Sequence, residues 1–384
     1  MSFRVDHHRW PAIDIFRGLA ITCMLIVNAL PDFSEAYPFL LHSPWTGITF
    51  ADLAFPGFVF AMGLAGSLWL PKHARDGWKT KAGIILRRGA LLFLLGCFLN
   101  HVPLLLQHIF YPEAGTSLWE EISRHGRLFG VLQRLGLVYI CGMLIAWWLE
   151  KERLTAIFAL LLLALSSLGF HLFDAAAPFH PENNISMFVD GIFPGKAHCY
   201  LQGDFDPEGL YGTMASTASF LWGFLAGCCL TGSDASGFSR EGRLALGGAG
   251  LLLLGWLWSC QDIVCKALWT APYVLLTSGG FTLLLSLLQM LLCRWPKFAG
   301  ILFAPCRIMG TNALLLYILP EMSLMLLWTL KSSSGQLLYP WLWEISLKGV
   351  VSIPFSILLF TLLWLCLWLL VANCLHKHRI YFKV

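Results

Sequence analysis

Apolar runs of about 20 residues recur along the chain, and they limit what it can fold into. About 20 residues of α-helix span the hydrocarbon core of a bilayer. Only 12% of the 384 residues are charged, whereas soluble domains carry about 25%. The runs are continuous rather than alternating, which favours helices over a membrane β-barrel. The sequence therefore predicts a polytopic helical membrane protein.

We expect a single all-α domain over residues 1–384, built as a bundle of about ten spans. The stretch 103–111 is too short to span and is expected to lie at the membrane interface. The predicted spans are residues 12–32, 46–70, 83–101, 127–149, 154–173, 209–230, 244–262, 268–292, 307–330 and 345–374.

The basic residues alternate between the two sides of this predicted bundle. Cytoplasmic segments usually carry the excess of Lys and Arg, so we place both termini in the cytoplasm. His42 and a long polar loop, residues 174–208, then face the opposite side. The segments assigned to the cytoplasm hold Arg4, Arg9, Lys72, Arg75, Lys79, Lys81, Lys151, Arg153, Arg240, Arg243, Arg294, Lys297, Lys377, Arg379 and Lys383, and the opposite loops hold Arg124, Lys196, Lys266 and Lys331.

Three polar residues gather where the first two spans meet. Asn28 ends the first span, His42 lies in the connector, and Asp52 opens the second span. A neutral imidazole can accept and return a proton near pH 7, and an amide can donate to a developing oxyanion. Asp52 would orient His42 or the acceptor. The alternatives are an exposed loop histidine, a helix C-cap or an interhelical hydrogen bond at Asn28, and a dipole-stabilised carboxylate at Asp52.

Four arginines lie in or near the predicted spans. Arg134 lies inside an apolar span and needs a partner from another helix or from a ligand. Arg17 has Asp14 three residues before it, so an intrahelical ion pair is its simplest explanation. Arg87 and Arg88 lie near the cytoplasmic end of the third span, where they would bind lipid head groups or the phosphates of a nucleotide ligand.

The motifs resemble those of the heparan-α-glucosaminide N-acetyltransferase family, over nearly the whole chain. They are D-I-F-R-G (14–18), V-N (27–28), H-S-P-W-T-G-I-T-F-A-D-L-A-F-P-G-F-V-F (42–60), L-R-R-G-A-L-L-F-L-L-G (86–96), G-V-L-Q-R-L-G (130–136), D-P-E-G-L-Y-G-T (206–213), K-A-L-W-T (266–270) and G-T-N-A (310–313). The sequence departs from the family pattern at Asp190-Gly191, where an Asp-Arg pair is usual, and at Pro320-Glu321, where a His-Glu pair is usual.

The resemblance implies transfer of an acetyl group from cytosolic acetyl-CoA to a terminal glucosamine across the membrane. The family's catalytic histidine falls on His42 and its asparagine on Asn28, and we add Asp52 to this catalytic set. Acetyl-CoA is expected to contact Arg17, Arg87, Arg88 and Arg134, and the acceptor to contact Trp45, Asp206, Glu208 and Asn312.

We therefore expect an integral membrane acetyltransferase of a bacterial inner membrane, with His42 facing the periplasm. Its partners would be an amino sugar or glycan end and membrane lipid, with a homodimer left open and neither nucleic acid nor a metal ion required. Direct transfer and an acetyl-histidine intermediate both remain open. The alternative functions are a sugar or amino-sugar transporter and an O-acetyltransferase of an envelope glycan.

Overall fold

The computed structural model describes residues 10–112, 117–203, 205–232 and 239–382. Arg4, Arg9 and Lys383, which support the predicted topology, lie outside these ranges. The described residues form helices joined by turns and by two longer connections, before α2 and before α8, with three isolated β-bridges. The helices are α1 Pro11–Asn28, α2 Ala54–Lys72, α3 Trp78–Phe110, α4 Leu118–His125, α5 Val131–Leu149, α6 Glu152–Phe173, α7 Ile185–Ile192, α8 Gly212–Thr231, α9 Arg240–Trp258, α10 Ala271–Arg294, α11 Pro296–Leu302, α12 Ala304–Thr311, α13 Leu315–Thr329, α14 Leu338–Ser346 and α15 Ile353–Lys377.

Eight of the described helices are long and apolar enough to cross a membrane, which confirms an all-α, polytopic fold. They are α1, α2, α3, α5, α6, α8, α10 and α15. Helices α12 and α13 make a ninth candidate span, bent by 84° between its two halves. The predicted seventh span corresponds to α9, whose first turn carries Arg240, Glu241 and Arg243. These charges lower its mean hydropathy below that of the other spans.

Two predicted boundaries are wrong. Residues 103–111 are not separate from the predicted third span, because α3 continues through Pro103 to Phe110. The last span does not begin at residue 345, since α14 ends at Ser346 and α15 begins at Ile353. Pro103 lies in the apolar run 102–106, so hydropathy does not show whether the helix continues there. By contrast, Lys348 and Gly349 lie between α14 and α15, inside the single span that was predicted.

Helix α1 packs closely against α12 and α2, and this packing positions the site. Gly18 and Gly310 allow the close approach to α12, because a Cβ on Gly18 would collide with the Cys306 carbonyl and one on Gly310 with the Asp14 carbonyl. Small residues at such crossings let helix backbones meet in a membrane. Arg17 and Asn28, eleven residues apart on α1, are therefore separated by about 16 Å along its axis.

Candidate active site

His42 and Asp52 form a hydrogen-bonded pair in the connector between α1 and α2. His42 Nδ1 lies 2.9 Å from Asp52 Oδ1, and Asp52 is fully buried whereas about half of the His42 side chain is exposed. The other Asp52 oxygen accepts from the Thr49 and Ser43 N–H groups, at 3.0 and 3.1 Å, and from the Thr49 hydroxyl. These donors fix the carboxylate, so Asp52 holds the proton of His42 on Nδ1 and leaves Nε2 as the proton acceptor.

The local fold explains how this pair is held. Residues 51–53 form a 3-10 turn ahead of α2, and the Tyr273 hydroxyl of α10 donates to the Asp52 carbonyl at 2.6 Å. Gly47 has a φ of 109°, a conformation that favours glycine. The N–H of Gly47 donates to the Val264 carbonyl at 2.8 Å, so the connector pairs with the segment that joins α9 to α10.

That segment brings Lys266 to the imidazole. Its Nζ lies 3.1 Å from both ring nitrogens of His42 and 3.9 Å from Asp52 Oδ1. Burial lowers the pKa of Lys266, while the charges of Glu208 and Asp52 act in the opposite direction. The site therefore contains a cation beside the histidine, in contact with the atom that would accept the proton.

Asn28 forms its hydrogen bond with α13 rather than with His42. Its Nδ2 donates to Glu321 Oε2 of α13 at 3.1 Å. Both residues line a cavity of about 580 Å³, here called the Asn28 cavity, together with Gln107, Tyr111 and Trp328 among others. The turn that carries Asp52 also contacts α1. One N–H of the Asn28 amide is bonded to Glu321, and an amide nitrogen has a second to offer.

Arg17 and Arg88 line a second cavity of about 490 Å³, here called the Arg17 cavity. Arg17 Nη2 donates to the Gly310 carbonyl at 2.6 Å, and its Nη1 lies 3.8 Å from Asp14, the pair expected from their spacing. Arg88 lies 3.5 Å from the Tyr139 hydroxyl. The rest of the lining is largely apolar and comes from α1, α2, α3, α5, α12 and α13: Met24, Phe58, Ala61, Met62, Ala65, Leu92, Val131, Leu132, Leu135, Ala313, Leu314 and Tyr317 among others. Arg87 is exposed and is not part of this lining.

Arg134 is almost completely buried, with 1% of its surface exposed. Its Nη2 donates to the Gly209 carbonyl at 2.7 Å, and its guanidinium lies 5.3 Å from the Trp269 ring centre. Within the described part of the chain, its Nε and Nη1 have no hydrogen-bond partner. The partner of Arg134 is thus the backbone of the loop that precedes α8. Arg134 is not among the residues that line the Arg17 cavity.

Asp206 and Glu208, both expected at the acceptor, are bound to Arg127. Arg127 makes two bonds to Asp206, at 2.6 and 2.8 Å, and one to Glu208 at 2.5 Å. Burial opposes the charge of Arg127, yet the bond to Asp206 and the charge of Glu208 raise its pKa overall. Burial likewise acts against the charged form of Glu208, but Arg127, Arg134 and Lys266 together lower its pKa. Glu208 therefore links this ion-pair cluster to the lysine beside His42.

Asp190 holds the loop of Asp206 by hydrogen bonds to its backbone. It accepts from the Asp206 N–H at 3.0 Å and the Leu210 N–H at 3.3 Å. Burial raises the pKa of Asp190 to about 6, although these two N–H groups act in the opposite direction. The carboxyl thus fixes the loop that carries Asp206 and Glu208.

Trp45 and Asn312 form hydrogen bonds with other parts of the chain than the His42–Asp52 pair. The Trp45 indole donates to the Phe179 carbonyl at 3.0 Å, which ties the connector to the long loop. Asn312 is buried at the break between α12 and α13. Its amide binds the backbone of Ile380 and Phe382 in the C-terminal segment. Asn312 is two residues after Gly310, the contact of Arg17, and so lies toward the Arg17 end of α1.

Sequence reasoning missed Lys266, Arg127 and Glu321 as site residues. Lys266 opens K-A-L-W-T and is the basic residue of a loop on the predicted His42 side, so its position was a usable signal. Arg127 precedes an apolar run and resembles an ordinary flanking charge. Glu321 lies within an apolar span, where an ionisable residue is by default a candidate for function.

Comparison with known proteins finds similarity in the N-terminal part of the chain, which contains His42 and Asp52. Residues 9–180 match a family model described as "Heparan-alpha-glucosaminide N-acetyltransferase, catalytic". A mouse protein named heparan-alpha-glucosaminide N-acetyltransferase is 33% identical over 150 residues, which are 38% of this chain and 21% of the mouse protein. The human protein of that name is 33% identical over 133 residues, 34% of this chain and 18% of its own length.

The matched regions thus span about a fifth of the length of these curated relatives. Residues 9–180 contain Arg17, Asn28, His42, Asp52 and Arg88, whereas Lys266 and Glu321 lie beyond them. The resemblance predicted from the motifs is confirmed for this region: residues 9–180 are similar to the catalytic part of the heparan-alpha-glucosaminide N-acetyltransferase family.

Proposed function

We propose that this chain is a membrane acetyltransferase. It moves the acetyl group of cytosolic acetyl-CoA to the amino group of a terminal glucosamine or related amino sugar on the opposite side. The observation that carries the proposal is the His42–Asp52 pair, in which a fixed buried carboxylate orients a half-exposed imidazole. The pair lies within the residues that match the family's catalytic model.

The Arg17 cavity suits the donor. Its two arginines would bind phosphate oxygens, which guanidinium groups recognise well. Its apolar walls, with Met24, Phe58 and Leu135 among them, would accept an extended acyl-carrying arm. The axial distance of about 16 Å from Arg17 to Asn28 is what such an arm must cover to bring a thioester to the other end of α1.

The proposed chemistry is direct transfer with His42 as general base. The acceptor nitrogen attacks the thioester carbonyl while His42 Nε2 removes a proton from that nitrogen, and Asp52 stabilises the imidazolium that forms. The C–N bond forms, the C–S bond breaks, and the leaving sulfur receives the proton. The free N–H of Asn28 and the Lys266 ammonium would stabilise the negative oxygen. A two-step route through acetyl-His42 uses the same residues.

The sidedness follows from the charges. Arg17 and Arg88 lie toward the segments rich in Lys and Arg, which the positive-inside rule assigns to the cytoplasm. His42 and Lys266 would then face the periplasm of a bacterial inner membrane. Donor and acceptor would reach the site from opposite sides.

The test is acetyl transfer by purified protein in detergent or nanodiscs. Acetyl-CoA and glucosamine are supplied, and N-acetylglucosamine is measured by mass spectrometry. We expect His42→Ala to lose at least 99% of the activity, since general base catalysis typically contributes about 10²- to 10⁴-fold. His73→Ala is the control, because His73 bonds to the Trp69 carbonyl at the far end of α2.

Activity of His42→Ala within tenfold of the parent would refute the proposed role. Glucose, which lacks the amine, distinguishes N- from O-acetylation: a glucose ester formed as fast as N-acetylglucosamine would favour the O-acetyltransferase. Failure of the parent to bind acetyl-CoA, combined with uptake of labelled amino sugar into proteoliposomes, would favour the transporter.

A further inference from the structure

The C-terminal segment is bound to the break between α12 and α13. Asn312 donates through Nδ2 to the Ile380 carbonyl at 2.8 Å, and its Oδ1 accepts from the Phe382 N–H at 3.0 Å. Asn312 is buried, with 2% of its surface exposed. One side-chain amide thus holds two backbone groups of the segment that follows α15, a fixed attachment.

This attachment places an aromatic ring at the Arg17 cavity. Phe382 lines that cavity together with Arg17, Arg88 and Thr311, the residue before Asn312. About half of the surface of Phe382, 52%, is exposed. The ring therefore offers a free apolar face beside two cationic side chains.

We propose that Phe382 contacts the adenine base of acetyl-CoA, and that Asn312 is the positioning residue that holds Phe382 there. The inference rests on the proposed function, because it assumes this donor. A nucleotide joined to an acyl arm needs three surfaces: cations for its phosphates, an apolar passage for the arm and a flat partner for its base. Arg17 and Arg88 supply the first, the inner cavity wall the second and Phe382 the third.

Base–aromatic contacts fit the exposed position of Phe382. Every base has a π-face that can stack on an aromatic ring. Replacing the aromatic side chain with alanine typically weakens binding by about tenfold or more. A ring that served only to close the protein interior would be covered by its own chain. Asn312 then acts on the donor by holding the C-terminal segment that carries Phe382. This role differs from the contact with the acceptor that the sequence suggested.

The experiment compares two donors that differ in the nucleotide. Acetyl-CoA and S-acetylpantetheine share the thioester and the arm, but only acetyl-CoA carries adenine. For Phe382→Ala we expect the Kd of acetyl-CoA to rise about tenfold, while the KM of S-acetylpantetheine stays within twofold of the parent. Phe382→Trp should restore acetyl-CoA binding to within threefold.

Tyr381→Ala is the matched control, because Tyr381 packs near the His376 ring and is not among the residues lining the cavity. Asn312→Ala should raise the Kd of acetyl-CoA as Phe382→Ala does, and the double variant should bind no more weakly than Phe382→Ala alone. If Asn312→Ala does not fold, hydrogen exchange of the parent decides the same point: acetyl-CoA should slow exchange in the peptide that ends at Phe382.

Two binding results would overturn the inference alone. One is a parent that binds acetyl-CoA with an unaffected Phe382→Ala variant, and the other is equal weakening of both donors by that variant. A parent that binds neither donor would overturn the proposed function and this inference together. Unchanged exchange in the tail peptide on addition of acetyl-CoA would also count against the contact.

Discussion

Replacing Asp52 with Asn tests the structure's account of the imidazole most directly. The Oδ2 atom of Asp52 faces the N–H groups of Ser43 and Thr49, and Oδ1 faces His42 Nδ1. An Asn here would turn its oxygen toward the two backbone donors, because the opposite orientation sets its NH₂ against both. The NH₂ would then donate to His42 Nδ1. The imidazole proton would move to Nε2, and the base would lose the lone pair that accepts the proton.

The magnitude follows from the distance between the two charges. At 2.9 Å, a carboxylate stabilises an imidazolium by about 1.4 kcal/mol in a water-like dielectric and about 6 kcal/mol at an effective dielectric constant of 20. These limits correspond to roughly 10-fold and 10⁴-fold in rate. His42 is half exposed, which favours the lower part of the range. The change of tautomer adds to it, so we expect kcat to fall at least 100-fold.

The assay is steady-state acetyl transfer, with the KM for acetyl-CoA measured in parallel. That KM should change less than threefold, because Asp52 does not line the Arg17 cavity. Asp32→Asn is the control, since Asp32 also accepts backbone and hydroxyl hydrogen bonds, from Ser34, without contacting a histidine. A folded Asp52→Asn protein that keeps more than one fifth of the parental kcat would refute the reasoning.

Two further predictions concern the donor and the long loop. Arg88→Gln should weaken acetyl-CoA binding about tenfold in calorimetry. The control Arg87→Gln, which changes an exposed neighbour, should alter the Kd less than twofold. Equal effects of the two substitutions would indicate a general charge effect. Burial raises the pKa of Asp190 to about 6 from an unfolded value near 3.9, so the folded protein holds this proton more tightly. Its contribution to stability is complete below about pH 4 and is lost as pH rises through 6. The Tm of Asp190→Asn relative to the parent should therefore increase from pH 4.5 to 7.5, and a constant difference would contradict the assignment.

The fold could be predicted from the sequence because a bilayer imposes both the length and the apolarity of each span. Of the ten predicted spans, eight correspond to single helices that are long and apolar enough to cross a membrane, and the ninth to the bent α12–α13 pair. The predicted seventh corresponds to α9, which does not reach that apolarity. The exceptions have local causes. Hydropathy does not show that α3 continues past Pro103. It also does not show that the predicted span bends by 84° between α12 and α13.

The site could be predicted only where its residues are close in sequence. His42 and Asp52, ten residues apart, form the expected pair. Lys266 reaches them through a backbone contact between Gly47 and Val264, which no spacing rule indicates. Asp206 and Glu208 are expected at the acceptor, and the sequence does not indicate that Arg127, 79 residues before Asp206, is their partner. Long-range pairing of charges depends on how the helices pack. That packing cannot be predicted from the residue spacing in a single sequence.

The break between α12 and α13 explains how one predicted span can serve both ends of the proposed site. Thr311, Ala313 and Leu314 at the break line the Arg17 cavity, and Glu321, two turns further on, lines the Asn28 cavity. Non-helical backbone at membrane depth is tolerated where protein or an aqueous cavity covers it, and here Asn312 uses its side chain to bind the C-terminal segment. A continuous helix would remove both the cavity wall and the attachment point of Phe382. Under the proposed function, the break belongs to the donor site, because it lines the Arg17 cavity and holds the segment that carries Phe382.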